Sequence, residues 1–167
     1  SDIQAHWSAR SRGIMLASPA NPTGTMISRS EFSAIASWVN AQGGFVIMDE
    51  IYQELVYGLQ PWTAAAVHPD TWVVNSFSKF FGMTGWRLGW MVAPTQGLES
   101  VEKLAQNLFI CPSAPAQHAA LAAFLPETLE ELEARRVEFQ RRRDYLAPAL
   151  VRLGLRLEST PQGAFYV

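Results

Sequence analysis

The sequence predicts an α/β fold, a mostly parallel sheet sandwiched by helices, on three observations. Two apolar runs, Gly13–Ala17 (GIMLA) and residues 45–48 (FVIM), are continuous rather than alternating, the pattern of strands covered on both faces. Between them Ser28, Arg29, Ser30 and Glu31 form a Ser-x-x-Glu capping box, with Phe32, Ile35, Ala36 and Val39 following at helical spacing. From residue 98 onward the chain is rich in Ala, Leu, Glu and Arg and punctuated by Pro112, Pro115 and Pro126, which predicts helices.

The first run reads as a buried strand because it ends in a dense set of turn formers, Ser18, Pro19, Asn21, Pro22 and Gly24. A helix is expected over about residues 29–41, stopped by Gly43 and Gly44. Strand, crossover helix and strand then make a βαβ unit. Residues 72–75 (WVVN) and 88–92 (LGWMV) supply two further strands. Three helices follow over residues 98–109, 114–125 and about 127–150, the last placing Leu129, Leu132, Phe139, Leu146 and Leu150 on one face. Residues 153–157 and 164–167 are expected to be strands of another layer.

Composition narrows the function. With 49% hydrophobic and 17% charged residues in 167, the chain can bury one core and does not read as disordered. Its formal net charge is -2, and its one basic cluster, Arg135, Arg136, Arg141, Arg142 and Arg143, is interleaved with Glu130, Glu131, Glu133 and Glu138. That is a solvated helix face laced with i,i+4 ion pairs, so nucleic acid is not an expected partner. Cys111 is the single cysteine, which precludes an internal disulfide and fits a cytoplasmic location. No apolar run is long enough to span a bilayer, so no membrane is expected. His6, His68 and His118 lack the spacing of a metal site.

Several residues carry chemistry. Asp49 and Glu50 directly follow a strand, at the carboxyl end where open α/β sheets bind ligands. Lys79 lies in Ser76-Phe77-Ser78-Lys79 beside Phe80 and Phe81, and a lysine among aromatic rings suits imine chemistry. Arg87 comes eight positions later, where a planar guanidinium can grip a phosphate through two hydrogen bonds. Asn21, Pro22, Thr23 and Gly24 alone would be an ordinary turn. Asn21, Asp49, Tyr52, Ser76, Lys79 and Arg87 nevertheless all fall at strand ends or adjoining loops, and a single ligand would need every one of these groups.

This set resembles the fold type I aminotransferases over roughly residues 13–125. The Asn-Pro-Thr-Gly loop, the Asp-x-x-Tyr after a strand, the Ser-x-Ser-Lys and the Arg eight residues on occur in the family's order. The resemblance implies pyridoxal 5'-phosphate as cofactor, carried by Lys79 as an imine, with Lys79 then moving a proton between the substrate's Cα and the cofactor's C4'. It implies Asp49 on the pyridine nitrogen, Tyr52 and Asn21 on the phenolic oxygen, and Ser76 and Arg87 on the phosphate. Ser78 either joins the phosphate or caps a turn. The implied reaction moves an amino group from an α-amino acid to a 2-oxo acid, in a homodimer when the protein is full length.

Gly163, Ala164, Phe165 and Tyr166 resemble the element that opens a strand of the family's small domain. Residues 1–125 are then part of a cofactor-binding large domain lacking its N-terminal portion, and residues 126–167 are a bridging helix and the start of a small domain. By the same resemblance a phosphate-binding helix end, a ring-stacking aromatic and a carboxylate-binding arginine lie outside these residues, so the segment alone is expected to be inactive. Carbon-sulfur β-lyases, aminocyclopropane-carboxylate synthases and the effector domains of aminotransferase-like transcription regulators share these motifs, which leaves the chemistry open at this point.

Overall fold

Residues 2–167 are described by a computed structural model. In chain order they form α1 (Asp2–His6), β1 (Gly13–Ala17), α2 (Arg29–Ala41), β2 (Phe45–Asp49), β3 (Thr71–Ser76), β4 (Gly89–Val92), α3 (Leu98–Leu108), α4 (Ala114–Ala122) and α5 (Pro126–Arg152). The strands make one sheet in the order β1-β2-β3-β4. β1, β2 and β3 are parallel, with Ala17 beside Asp49 and Asp49 beside Val74, whereas β4 runs antiparallel with Gly89 beside Ser76. The expected mostly parallel α/β sheet is what the chain forms.

α2 starts where its sequence says it should. The Ser28 hydroxyl accepts from the Glu31 N–H at 3.2 Å while the Glu31 carboxylate accepts from the Ser28 N–H at 3.0 Å, satisfying two helix-end donors reciprocally. Phe32, Ala36 and Val39 of this helix pack on Val46, Met48 and Val73 of the sheet. Each large side chain removed from water there contributes roughly 2 kcal/mol, which ties the crossover helix firmly to the strands it joins.

Two expectations fail beyond α4. Residues 153–157 and 164–167 are not strands; the one pairing there among the described residues is an isolated bridge between Val56 and Gly163. A strand needs a neighbouring strand for its N–H and C=O groups, whereas the N–H groups of Leu153 and Leu155 bond back to the Ala149 and Leu150 carbonyls at the end of α5. The apolar stripe of α5 is also only partly covered: Leu132 is buried, whereas Leu129 and Leu146 stay exposed.

In place of a strand, residues 161–164 dock by backbone bonds on two loops. The Gly24 carbonyl accepts from the N–H groups of Gln162 (2.8 Å) and Gly163 (3.0 Å). Tyr57 N–H donates to the Gln162 carbonyl at 2.9 Å, and Ala164 N–H to the Leu55 carbonyl at 2.8 Å. Gly24 is indispensable to this contact, because its φ is +64° and a Cβ there would stand 2.6 Å from the Gly163 oxygen. From α5, Arg136 donates to the Val56 carbonyl at 2.8 Å and Arg143 to the Pro161 carbonyl. The basic cluster is therefore split: Arg135, Arg141 and Arg142 pair with Glu131 and Glu138 on the solvated face, while Arg136, which also pairs with Glu133, holds the Val56 loop and Arg143 holds the docked segment.

Gly24→Ala should accordingly lower stability by about 2 kcal/mol through left-handed strain plus the clash. Urea unfolding measures it; an unchanged midpoint would show that the docked segment is dispensable.

Candidate active site

Because β1, β2 and β3 are parallel and level, their carboxyl ends lie along one edge of the sheet, and antiparallel β4 begins at that same edge. The loop after β1 carries Asn21, the end of β2 carries Asp49 and Tyr52, the segment after β3 carries Ser76, Ser78 and Lys79, and Arg87 stands just before β4. Topology alone thus gathers all seven candidates to one edge, as expected where open α/β sheets bind ligands.

The two neighbouring acids part company. Asp49 is half-buried, and its Oδ1 accepts from the Ile51 N–H at 3.0 Å, opening the turn after β2. Its second oxygen makes no hydrogen bond among the described residues. Glu50, 3% exposed, is directed at a 3₁₀ turn, Ala64–Ala66, and accepts from the Ala64 N–H at 2.6 Å. Burial pushes the Glu50 carboxyl above its ordinary value, and the Ala64 hydrogen bond opposes that rise. Glu50 braces the fold, and Asp49 is the acid free to meet a ligand.

Tyr52, 3% exposed, sits at the centre of an aromatic nest. Phe165 and Tyr166 approach its ring edge-on with centroids at 5.3 and 5.7 Å, and its hydroxyl lies 2.7 Å from that of Tyr166. The ammonium of Lys79 lies 5.8 Å from the Tyr52 ring centre and 5.6 Å from that of Phe165, within the range of cation–π attraction. Desolvation above all, then the Tyr166 hydrogen bond and the negative charges of Tyr166 and Asp49, push the Tyr52 hydroxyl well above the usual phenol range. Tyr52 therefore remains a neutral donor, and it is the group that Lys79 and Asp49 have in common.

The segment after β3 folds into a tight hydroxyl-lined turn. Ser76 Oγ accepts from the Ser78 N–H at 3.0 Å and can donate to Ser78 Oγ (2.9 Å) or to the Leu88 carbonyl (3.2 Å). Thr84 Oγ1 donates to the Ser78 carbonyl at 2.6 Å, and Phe77 N–H to the Leu88 carbonyl at 3.1 Å. Arg87 closes the loop in the left-handed region, φ 52° and ψ 52°. Such a conformation costs a non-glycine residue on the order of 1 kcal/mol and is concentrated at functional sites. Its guanidinium is exposed and donates to the Thr84 carbonyl at 2.9 Å.

Asp49, Tyr52 and Lys79 are thus brought together, with Ser76 and Ser78 as a hydroxyl pair in the adjoining turn. Asn21 and Arg87 stand exposed, and neither hydrogen-bonds to the other five among the described residues. Asn21 belongs to a turn closed by Gly24 N–H on the Ala20 carbonyl at 2.8 Å, with cis peptide bonds at Ser18–Pro19 and Asn21–Pro22. The set pairs an amine with a phenol, a carboxylate, two hydroxyls and a guanidinium, a donor set suited to an anionic aromatic carbonyl compound. Phe165 and Tyr166 were given no site role by sequence; the Gly-Ala-Phe-Tyr signal was visible, but a contact across 114 residues was not.

Among the described residues no group of three His, Cys, Asp or Glu could hold a metal ion, and no helix is long and apolar enough to cross a membrane. An apolar groove of about 480 Å³ between α1 and α2, lined by Met26, Ile35 and Trp38 among others, contains none of the candidate residues.

Comparison with known proteins bears on the same site. The model of the family "aminotransferase class I and II" matches residues 2–167. The valine–pyruvate aminotransferase of Mycobacterium tuberculosis is 44% identical over 158 residues, 93% of this chain and 41% of the relative. A probable aspartate/prephenate aminotransferase of Aquifex aeolicus is 32% identical, covering 99% of this chain and 44% of the relative. The crystal structure of an aminotransferase from Mycobacterium tuberculosis superposes with a TM-score of 0.91 at 41% identity, over 98% of this chain and 43% of that one. The chain therefore spans about two fifths of the length of these relatives.

The division of labour between the two acids is testable. A carboxyl raised by burial stabilises the fold fully at low pH and loses that contribution as pH rises through its folded-state pKa. Glu50→Gln, which keeps an acceptor for Ala64 N–H, should flatten the decline in stability on raising pH, and Glu50→Ala, which also removes the acceptor, should lie about 2 kcal/mol below Glu50→Gln at every pH. Thermal melts across pH check both; identical pH profiles for Glu50→Gln and the parent would refute the assignment.

Proposed function

The chain belongs to the aminotransferase class I and II family, and on that premise we propose that the whole protein is a pyridoxal 5'-phosphate-dependent aminotransferase moving an amino group from an α-amino acid to a 2-oxo acid. The observation that carries the reading is Tyr52, with the Lys79 ammonium over its ring and the charge of Asp49, a carboxylate with one oxygen free among the described residues, acting on its hydroxyl.

The donor set fits the cofactor group by group. Lys79 Nζ is the amine that would hold it covalently; among the described residues it makes no ion pair that would have to be broken first. Asp49 would accept a hydrogen bond from the ring nitrogen. Tyr52, neutral and buried, would donate to the phenolic oxygen, with Asn21 beside it. Ser76, Ser78 and Arg87 would donate to the phosphate, the guanidinium supplying the positive charge.

When bound, pyridoxal 5'-phosphate supplies an electron-withdrawing ring that stabilises charge at the substrate's Cα. Asp49 sustains that withdrawal by keeping the ring nitrogen protonated. Lys79 Nζ would hold the cofactor as nucleophile and, when free, would move the proton between the substrate's Cα and the cofactor's C4' as general acid and base. The rings of Tyr52 and Phe165 flank the amine.

We further read residues 1–125 as part of the large domain and 126–167 as the bridging helix and start of a small domain. A cytoplasmic homodimer acting in amino acid biosynthesis, without nucleic acid or membrane partners, completes the proposal. The Mycobacterium tuberculosis relative's name makes valine with pyruvate the first substrate pair to try.

In the full-length protein, Lys79→Ala should abolish the visible absorbance of covalently held cofactor, and retention of that band would reject Lys79 as the carrier. Asp49→Asn should lower kcat/KM by about 100-fold or more, the scale of removing one preorganised charge from a site. Arg87→Lys should loosen cofactor retention by about 10-fold, the worth of one charge-assisted hydrogen bond. Release of ammonia and a 2-oxo acid without amino-group exchange would replace transamination with elimination.

A further inference from the structure

We propose that Tyr166 is a positioning residue acting through Tyr52: its hydroxyl donates to the Tyr52 oxygen and so sets how strongly Tyr52 donates onward to the cofactor's phenolic oxygen. The inference rests on the aminotransferase reading and adds to it a residue from the far end of the chain.

Proton counting gives the direction of the bond. The two hydroxyls are 2.7 Å apart and either could donate. Tyr52 has one proton, so once that proton is committed to a ligand, Tyr166 is the only one of the two left to donate. A hydroxyl that accepts a hydrogen bond is polarised and becomes a stronger donor in its turn.

The Tyr166 hydroxyl is placed by backbone rather than by a free side chain. Residues just before it are pinned by Ala164 N–H on the Leu55 carbonyl, by the Val56–Gly163 bridge and by the Tyr57 hydroxyl on the Ala164 carbonyl. Ala164 is fully buried and held at φ +60°, a left-handed conformation that persists only where surrounding contacts impose it. Tyr52 is equally fixed, packed with Leu55 and Ala164.

The charged groups facing this pair come from three other elements: Asp49 at the end of β2, Lys79 after β3, and Arg142 and Arg143 of α5, which line the hollow beside Tyr166. All four stay in place when a single tyrosine hydroxyl is deleted, so a difference between variants reports the hydroxyl. Donation from Tyr52 draws charge from the phenolic oxygen and weakens that oxygen's hold on the proton at Lys79 Nζ. Weaker donation lets Lys79 Nζ keep its proton to higher pH.

The test is a pH titration of the cofactor absorbance in the full-length holoenzyme, without substrate. Tyr166→Phe should move the midpoint upward by roughly 0.5 pH unit, the effect of weakening one neutral hydrogen bond. Tyr52→Phe should move it further in the same direction, and Tyr166→Phe added to Tyr52→Phe should change nothing more. Phe139→Leu, which disturbs the packing behind Phe165 without touching Lys79 or either hydroxyl, should leave the midpoint in place.

A shift with Tyr52→Phe and none with Tyr166→Phe overturns the inference while sparing the reading beneath it. Additive shifts in the double variant, or a Phe139→Leu shift as large as that of Tyr166→Phe, overturn it as well, since the effect would then not pass through the Tyr52 hydroxyl. No shift with Tyr52→Phe removes the assignment of Tyr52 itself.

Discussion

Level, parallel pairing of β1, β2 and β3 is the constraint from which the rest of the molecule follows. With Ala17 beside Asp49 and Asp49 beside Val74, three strands deliver their last residues to one line, and the antiparallel β4 starts from it. Chain segments spaced tens of residues apart can then offer an amine, a carboxylate, a phenol and hydroxyls to one ligand. A one-residue slip of β2 would turn Asp49 away and expose Glu50 instead, so the buried bond from Ala64 to Glu50 also guards the register.

The second organising contact is made by backbone. Gly24 accepts two bonds from residues 162 and 163, and the loops on either side of this seam carry Asn21 and Tyr52. The glycine of the Asn-Pro-Thr-Gly motif therefore serves as a landing place for a distant segment as well as a turn former. That segment brings Phe165 and Tyr166 against Tyr52 and Lys79, completing an aromatic wall that no single stretch of sequence contains.

Local signals in the sequence were reliable wherever the physics is local. The capping box of α2, the strands β1 and β2 and the strand-end placement of Asp49 and Lys79 each depend on a few adjacent residues, and each stands in the structure, but the continuous runs are not covered on both faces, with Met15 of β1 70% and Phe45 of β2 45% exposed. Glu50 could not be separated from Asp49 by sequence, because the difference lies in what each side chain meets. Residues 153–157 have strand-like composition yet no neighbour to pair with, and Arg136 and Arg143 look like their solvated neighbours until the docked segment is in place. Tyr166 lies within a recognised motif, but its partner is 114 positions away.

Arg87 couples two demands that no other amino acid meets together. Its backbone sits where glycine or asparagine would be comfortable, and its side chain provides the one guanidinium in the loop that leads into β4. Selection for robustness alone would drive this position toward glycine, and selection for anion affinity alone would do nothing to relax the backbone. On the proposed function, position 87 is thus a local trade-off between folding and chemistry.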